Sequence, residues 1–244
     1  MVTTITGTIR TITSPFPFRL VPAAVLAAAA ILAGAAGPSG AATATVPLGT
    51  AAKFAVLAAS TVTNTGPTMI TGDLGLSPGT SVTGFPPGQV HGTVYTADSV
   101  ALKAQADLTT AYNDAAASPT TAIIPVELGG TTETPGTYAS AAGTFGITGT
   151  LTLNAQGNPN AVFIFKAAST LITASASNVK LINGAKAANV FWQVGSSATL
   201  GTYSTIRGNI MALASITVTT GVTVHGRTLA RNAAVTLDSD TITR

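Results

Sequence analysis

After residue 44, most apolar residues recur at every second position in short runs bounded by glycine, proline, serine or asparagine, a pattern that predicts β-strands joined by tight turns. One segment breaks this rule. From about Ala97 to Ala117 the apolar positions Val100, Ala104, Leu108, Ala111, Tyr112 and Ala115 follow helical spacing. Thr96 can cap such a helix, Asp98 sits where the helix dipole favours an anion, and Ser118-Pro119 ends it.

The C-terminal strands repeat. A shift of 18 residues superposes Thr199-Leu200 on Thr217-Val218, Thr205-Ile206 on Thr223-Val224, Gly208 on Gly226 and Ala212 on Ala230. A further step of 19 carries Thr217-Val218 to Thr236-Leu237. A steady period just under 20, with one polar–apolar alternation per strand, predicts a solenoid whose turns bury their apolar side chains and stack at ~4.8 Å. Looser copies occur at Ser60-Thr61-Val62-Thr63, Ser81-Val82-Thr83 and Thr170-Leu171-Ile172-Thr173, with insertions between them. The helix is the largest insertion, and Gly129 to Gly136 reads as another loop. Six or seven turns would span roughly 30 Å, the length of the predicted helix, which could then lie along the stack.

Composition supports strands over disorder. Of 244 residues, 46% are hydrophobic and only 8% are charged, with glycine, alanine and threonine filling the difference. Arg10 and Arg19 precede an apolar run from Leu20 to Gly37, which is followed by Ala42-Thr43-Ala44. That order predicts a secretory signal over residues 1–44 and a single domain over 45–244, although the run also approaches membrane-spanning length. Beyond residue 44, nine basic groups face eight acidic ones, which points to neither nucleic acid nor an anionic membrane as partner. With no cysteine, an exported chain must hold itself together by packing.

Several segments resemble the ice-binding-like family of secreted microbial antifreeze proteins. They are Gly72-Asp73-Leu74-Gly75-Leu76-Ser77-Pro78-Gly79, Ala111-Tyr112-Asn113-Asp114-Ala115-Ala116 and Asn189-Val190-Phe191-Trp192-Gln193-Val194-Gly195, followed by Gly208-Asn209-Ile210-Met211-Ala212 and Gly226-Arg227-Thr228-Leu229-Ala230. The resemblance covers about residues 48 to 243. It implies a mainly β fold: a right-handed, discontinuous β-solenoid (β-helix) of triangular cross-section with one long helix packed along its side. It also implies that the first and last chain segments lie next to each other. In ice-binding members, one flat side carrying Thr, Ser and Ala docks on ice.

The outward slots of such a side are expected at Ser60, Thr80, Thr170, Thr199, Ser215, Thr217 and Thr236, with Leu200, Ile216, Val218, Val235 and Leu237 pointing inward. Threonine joins a hydroxyl that can hold water to a methyl group, on a side chain with restricted χ1. A Thr-Gly/Ala-x-Thr/Asn pattern found in some relatives occurs strictly only at Thr220-Gly221-Val222-Thr223.

No nucleophile motif is present, and the acidic residues form no convincing pair for acid–base work. Asp73 reads as an internal acceptor, Asp238 and Asp240 as solvated turn residues, and His91 and His225 as outward turn positions. Of Phe191 and Trp192, one should be core and the other at most a surface aromatic. The expectation is therefore a monomeric, secreted ice-binding protein without catalytic residues, metal or cofactor, whose partner is the ice surface. The alternative is an extracellular solenoid with an adhesive, structural or glycan-binding role.

Overall fold

The computed structural model describes residues 43–244 and a few isolated positions before residue 14; the apolar run over 20–37 lies outside the described residues. In chain order, β1 (Phe54–Ala58), β2 (Thr61–Thr65) and β3 (Met69–Thr71) make one turn of a solenoid. The next turn contains β4 (Asp73–Leu76), β5 (Ser81–Thr83) and β6 (Gln89–His91), and β7 (Val94–Thr96) leads into α1 (Ser99–Ala117). After the helix come β8 (Ala122–Ile123), β9 (Thr132–Glu133), β10 (Gly136–Ala139), β11 (Phe145–Ile147) and β12 (Thr150–Asn154). They are followed by β13 (Phe163–Ala167), β14 (Leu171–Thr173), β15 (Asn178–Ile182), β16 (Val190–Val194) and β17 (Ala198–Leu200). The last five are β18 (Thr205–Ala212), β19 (Ile216–Val218), β20 (Thr223–Ala230), β21 (Val235–Asp238) and β22 (Thr241–Thr243).

Three strands per turn give three faces. One face runs β11-β14-β17-β19-β21-β2-β5, a parallel sheet in continuous register. The other two share β18 and β20, which are long enough to bend around a corner at Gly208 and Gly226. The stack is discontinuous. β1 pairs with β20, β2 with β21 and β3 with β22, so the first strands of the chain extend the pile that the last strands leave open. Helix α1 carries the chain from the β7 end to the β8 end. At ~1.5 Å per residue its 19 residues cover about 28 Å, most of the ~38 Å spanned by the nine strands from β7 to β8 at ~4.8 Å.

Helix and solenoid meet through an apolar layer. Ala101, Ala104, Leu108, Ala111, Tyr112 and Ala115 are buried, against a layer that includes Phe54, Leu57, Ile164, Phe191, Met211 and Leu229. The cap is Asp98, whose carboxylate accepts from the Ala101 amide at 2.8 Å, rather than Thr96. Starting the helix at Ser99 leaves Val100 exposed and makes Ala101 the first core position. Inside the solenoid, Tyr138, Phe165 and Trp192 stand on neighbouring strands, with ring centroids 5.4 and 4.3 Å apart. Both Phe191 and Trp192 are therefore buried. Trp192 faces the interior and Phe191 faces the helix, which covers what would otherwise be a surface aromatic.

The corner that follows the β11-to-β5 sheet requires a left-handed residue at each turn. Gly149, Ala176, Tyr203, Gly221, Ser239, Gly66 and Gly84 occupy it, all with φ between 57° and 84°. Backbone hydrogen bonds join them into a column, Tyr203 N to Thr220 O, Gly221 N to Asp238 O and Ser239 N to Thr65 O among them. Glycine adopts this conformation freely, whereas an L side chain there costs ~1–2 kcal/mol.

Candidate binding face

The β11-to-β5 sheet places one outward slot per turn in a straight column. Register pairs Thr199 with Thr217, Thr217 with Thr236, Thr236 with Thr63 and Thr63 with Thr83. Five threonines thus follow one another at ~4.8 Å. Beyond Thr199 the column continues through Ile172, which is 52% exposed, to Gly146. The flanking Leu200, Ile216, Val218, Val235 and Leu237 are all buried, as the alternation requires.

A second column lies two residues earlier, ~7 Å away along the strands. It contains Ser81, Thr61, Ala234, Ser215, Ser197 and Thr170, with register fixed by Ile216 N to Ala234 O, Ala198 N to Ser215 O and Leu171 N to Ser197 O. The hydroxyls of Ser197 and Ser215 bond to each other at 2.9 Å. Among the described residues, no protein group bonds the hydroxyls of Thr63, Thr83, Thr199, Thr217 or Thr236, which leaves them to water. The two columns together form a flat, uncharged grid of hydroxyl and methyl groups.

Of the expected slots, Thr199, Thr217 and Thr236 fall in the first column, and Thr170 and Ser215 in the second. Ser60 and Thr80 are exposed but sit in the connections just before β2 and β5. The strand slots of those turns are Thr61, Thr63, Ser81 and Thr83. Thr220-Gly221-Val222-Thr223 straddles the corner: Thr220 donates to Asp238, and Gly221 takes φ +74°.

The other candidate groups are structural. Asp240 is buried rather than solvated; its carboxylate accepts from the amides of Val222 and Asp238 at 2.9 and 2.8 Å. Asp238 accepts from Thr220 and Ser239. His91 and His225 point outward, but from strands rather than turns. Asp73 accepts from the Thr93 amide at 2.9 Å, as an internal acceptor should. It borders an open groove of about 280 Å³ with Thr71, Gly72, His91, Gly92 and Arg244, whose lining holds no second acidic side chain among the described residues.

Burial pushes the Asp240 carboxyl up to about 7, against the two amide hydrogen bonds that favour its anion. A carboxyl that holds its proton more tightly when folded adds most stability below about 3.8, its ordinary value, and loses that contribution as pH rises toward 7. Asp107 works in the opposite direction. Hydrogen bonds from Lys103 and Thr50 hold it at about 2, so its contribution is lost as pH falls from 3.8 through 2. Thermal melts from pH 4 to 7.5 should therefore show a downward slope that Asp240→Asn flattens. An unchanged slope would remove Asp240 as its source.

Comparison with known proteins places this geometry. Residues 56–243 match the Ice-binding-like family. An ice-binding protein of Nostoc sp. (strain HG1) is 54% identical over 197 residues, covering 80% of this chain and 72% of that protein. The crystal structure of an ice binding protein from an Antarctic biological consortium superposes with a TM-score of 0.81 at 48% identity, covering 84% of this chain and 93% of that one. That of an ice-binding protein from the Antarctic ascomycete Antarctomyces psychrotrophicus gives 0.79 at 44% identity, covering 82% and 98%. Matched by sequence across its described strands, and by structure over most of its length, the chain belongs to the ice-binding-like family.

Proposed function

We propose that the chain binds ice through the face built on β11, β14, β17, β19, β21, β2 and β5, and so restrains ice growth or recrystallisation outside the cell. The observation that carries this reading is the uninterrupted column Thr83-Thr63-Thr236-Thr217-Thr199 with a second column of small, mostly hydroxylated residues beside it. A lattice surface offers no pocket-filling group, so affinity has to come from many weak contacts made at once. Two features support that. The β-branch restricts each threonine, and parallel pairing on both sides holds every strand between the end strands β11 and β5, so little freedom remains to be lost on docking. The uncharged surface also avoids stripping water from ions.

The names of the relatives, all ice-binding proteins, support the same reading. In it, residues 1–44 are a signal that is removed, 45–244 is one domain, and the protein acts as a monomer. The test uses the purified chain at micromolar concentration in a recrystallisation assay and in partition into slowly growing ice. Ice grains that stay small and enrichment in the ice fraction are expected. A folded chain that coarsens like buffer and is excluded from ice would end the proposal.

A further inference from the structure

The face formed by β12, β15, the start of β18, the start of β20, β22 and β3 carries a different pattern. Its outward residues Thr152, Lys180, Arg207, His225 and Thr243 are consecutive partners across the stack. Two cations, Lys180 and Arg207, therefore stand on adjacent turns ~4.8 Å apart, with His225, whose pKa burial and Arg207 push down, on the next turn. Among the described residues, the only ion pair is Lys103 with Asp107 on the helix, so the charges of this strip are not neutralised. Acids lie at its edges: Asp73 beside His91 and Arg244, Asp238 at the corner column where it accepts from Thr220 and Ser239, and Glu133 on β9, which pairs with β12. Net charge beyond residue 44 is close to zero, so the strip reflects segregation of charge rather than a basic protein.

Two further features suit a ligand. Arg207 is held in place by bonds from Nη1 to Asn178 Oδ1 at 3.0 Å and to the Val179 carbonyl at 2.5 Å, which keep the guanidinium aligned along the face. At the opposite rim stands Tyr203, 70% exposed, at φ +57° in the left-handed corner column. Glycine holds four of the seven places in that column. A bulky, exposed aromatic there is strained without gaining core packing, which points to use rather than stability. Its ring rests where a Cβ on Gly221 would otherwise stand, at 2.5 Å from Cδ1 and Cε1.

We propose that this face docks an acidic polysaccharide rich in uronic acid, whose carboxylates meet Lys180 and Arg207 while the C–H face of one sugar rests on Tyr203. The cation spacing is comparable with the length of a sugar ring, and arginine pairs with carboxylate in bidentate fashion. Nucleic acid fits less well, because its dense phosphates reward many more cations than this strip offers. The proposal does not depend on ice binding, since it uses a different face. A chain tethered here would keep its threonine grid open.

Binding of the full chain to immobilised alginate tests it, with dextran and duplex DNA alongside. Alginate should bind, weakening about tenfold or more between ~50 mM and ~500 mM NaCl. Lys180→Gln with Arg207→Gln should weaken it about tenfold and Tyr203→Gly a few-fold. Lys180→Glu, on an exposed side chain outside the Arg207 bonds, should act in the same direction without lowering the melting temperature. Thr217→Tyr should leave it unchanged. Absence of alginate binding at low salt, equal binding to dextran or DNA, or indifference to Lys180→Glu would overturn the proposal.

Discussion

Replacing Thr217 by tyrosine is expected to cut inhibition of ice growth by about tenfold or more while leaving the fold intact. Thr217 is the middle of five threonines in register, between Thr199 and Thr236, and its flanks Ile216 and Val218 are buried. Tyrosine is favoured on strands, so the substitution costs the sheet little. On the flat side, however, the ring stands above threonines only ~4.8 Å away and holds a planar lattice off both columns. Loss of a few weak contacts worth about 1.4 kcal/mol together is already a factor of ten. Lys180→Tyr, on another face, controls for bulk alone and should leave ice activity unchanged. Equal activity of Thr217→Tyr and the unaltered chain would place the ice contact elsewhere.

Gly226→Ala should have the largest effect on stability. Gly226 lies at φ +148° where β20 bends from one face to the next, and a Cβ there would come within 1.9 Å of the Gly208 carbonyl oxygen on the adjacent turn. Nothing flexible can give way, because the obstacle is the backbone of β18, paired with β20 over eight residues. The corner must open and break that pairing, at a cost of about 3 kcal/mol or more. Gly130→Ala is the comparison: φ +80°, with nothing within 4 Å of the added carbon. It should lose only about 1 kcal/mol. Denaturant melts of the two variants separate the readings, and a Gly226→Ala chain as stable as Gly130→Ala would contradict the corner geometry.

These two positions also show how far the residues alone could be read. The repeat that aligns Thr199, Thr217 and Thr236 is legible because neighbouring turns are neighbours in sequence and each leaves the same mark, apolar inward and threonine outward. The column's continuation through Thr63 and Thr83 is not legible that way. It depends on a closure between strands some 170 residues apart in the chain, β2 on β21. Matching Ser60 to Ser215 slips that pairing by one residue, since in the structure Thr61 shares the turn position of Ser215 and Thr63 that of Thr217. In a segment that alternates Ser, Thr and Val, such a slip still matches hydroxyl to hydroxyl, so only the pairing reveals it.

Closure also accounts for Asp240, which looks like a solvated turn residue until the first turn of the chain covers it. Its amide bonds Thr68 Oγ1 at 3.0 Å, across 172 residues. The expectation that one of Phe191 and Trp192 is at most a surface aromatic fails for a related reason. Alternation sets the two on opposite sides of β16, and only the returning helix turns the outer one, Phe191, into core. Gly208 and Gly226 were visible as repeated residues, but the need for glycine arises from how closely one turn's backbone passes the next. What local periodicity encodes was readable; what depends on the chain passing back along itself was not.

Ice binding by the threonine face is tested by thermal hysteresis, the gap between melting and ice-growth temperatures, measured on the purified chain across a concentration series. The gap should widen with concentration, collapse with Thr217→Tyr and persist with Lys180→Tyr. A correctly folded chain that shows no gap at any concentration, or a gap that Thr217→Tyr leaves untouched, would contradict ice binding by this face.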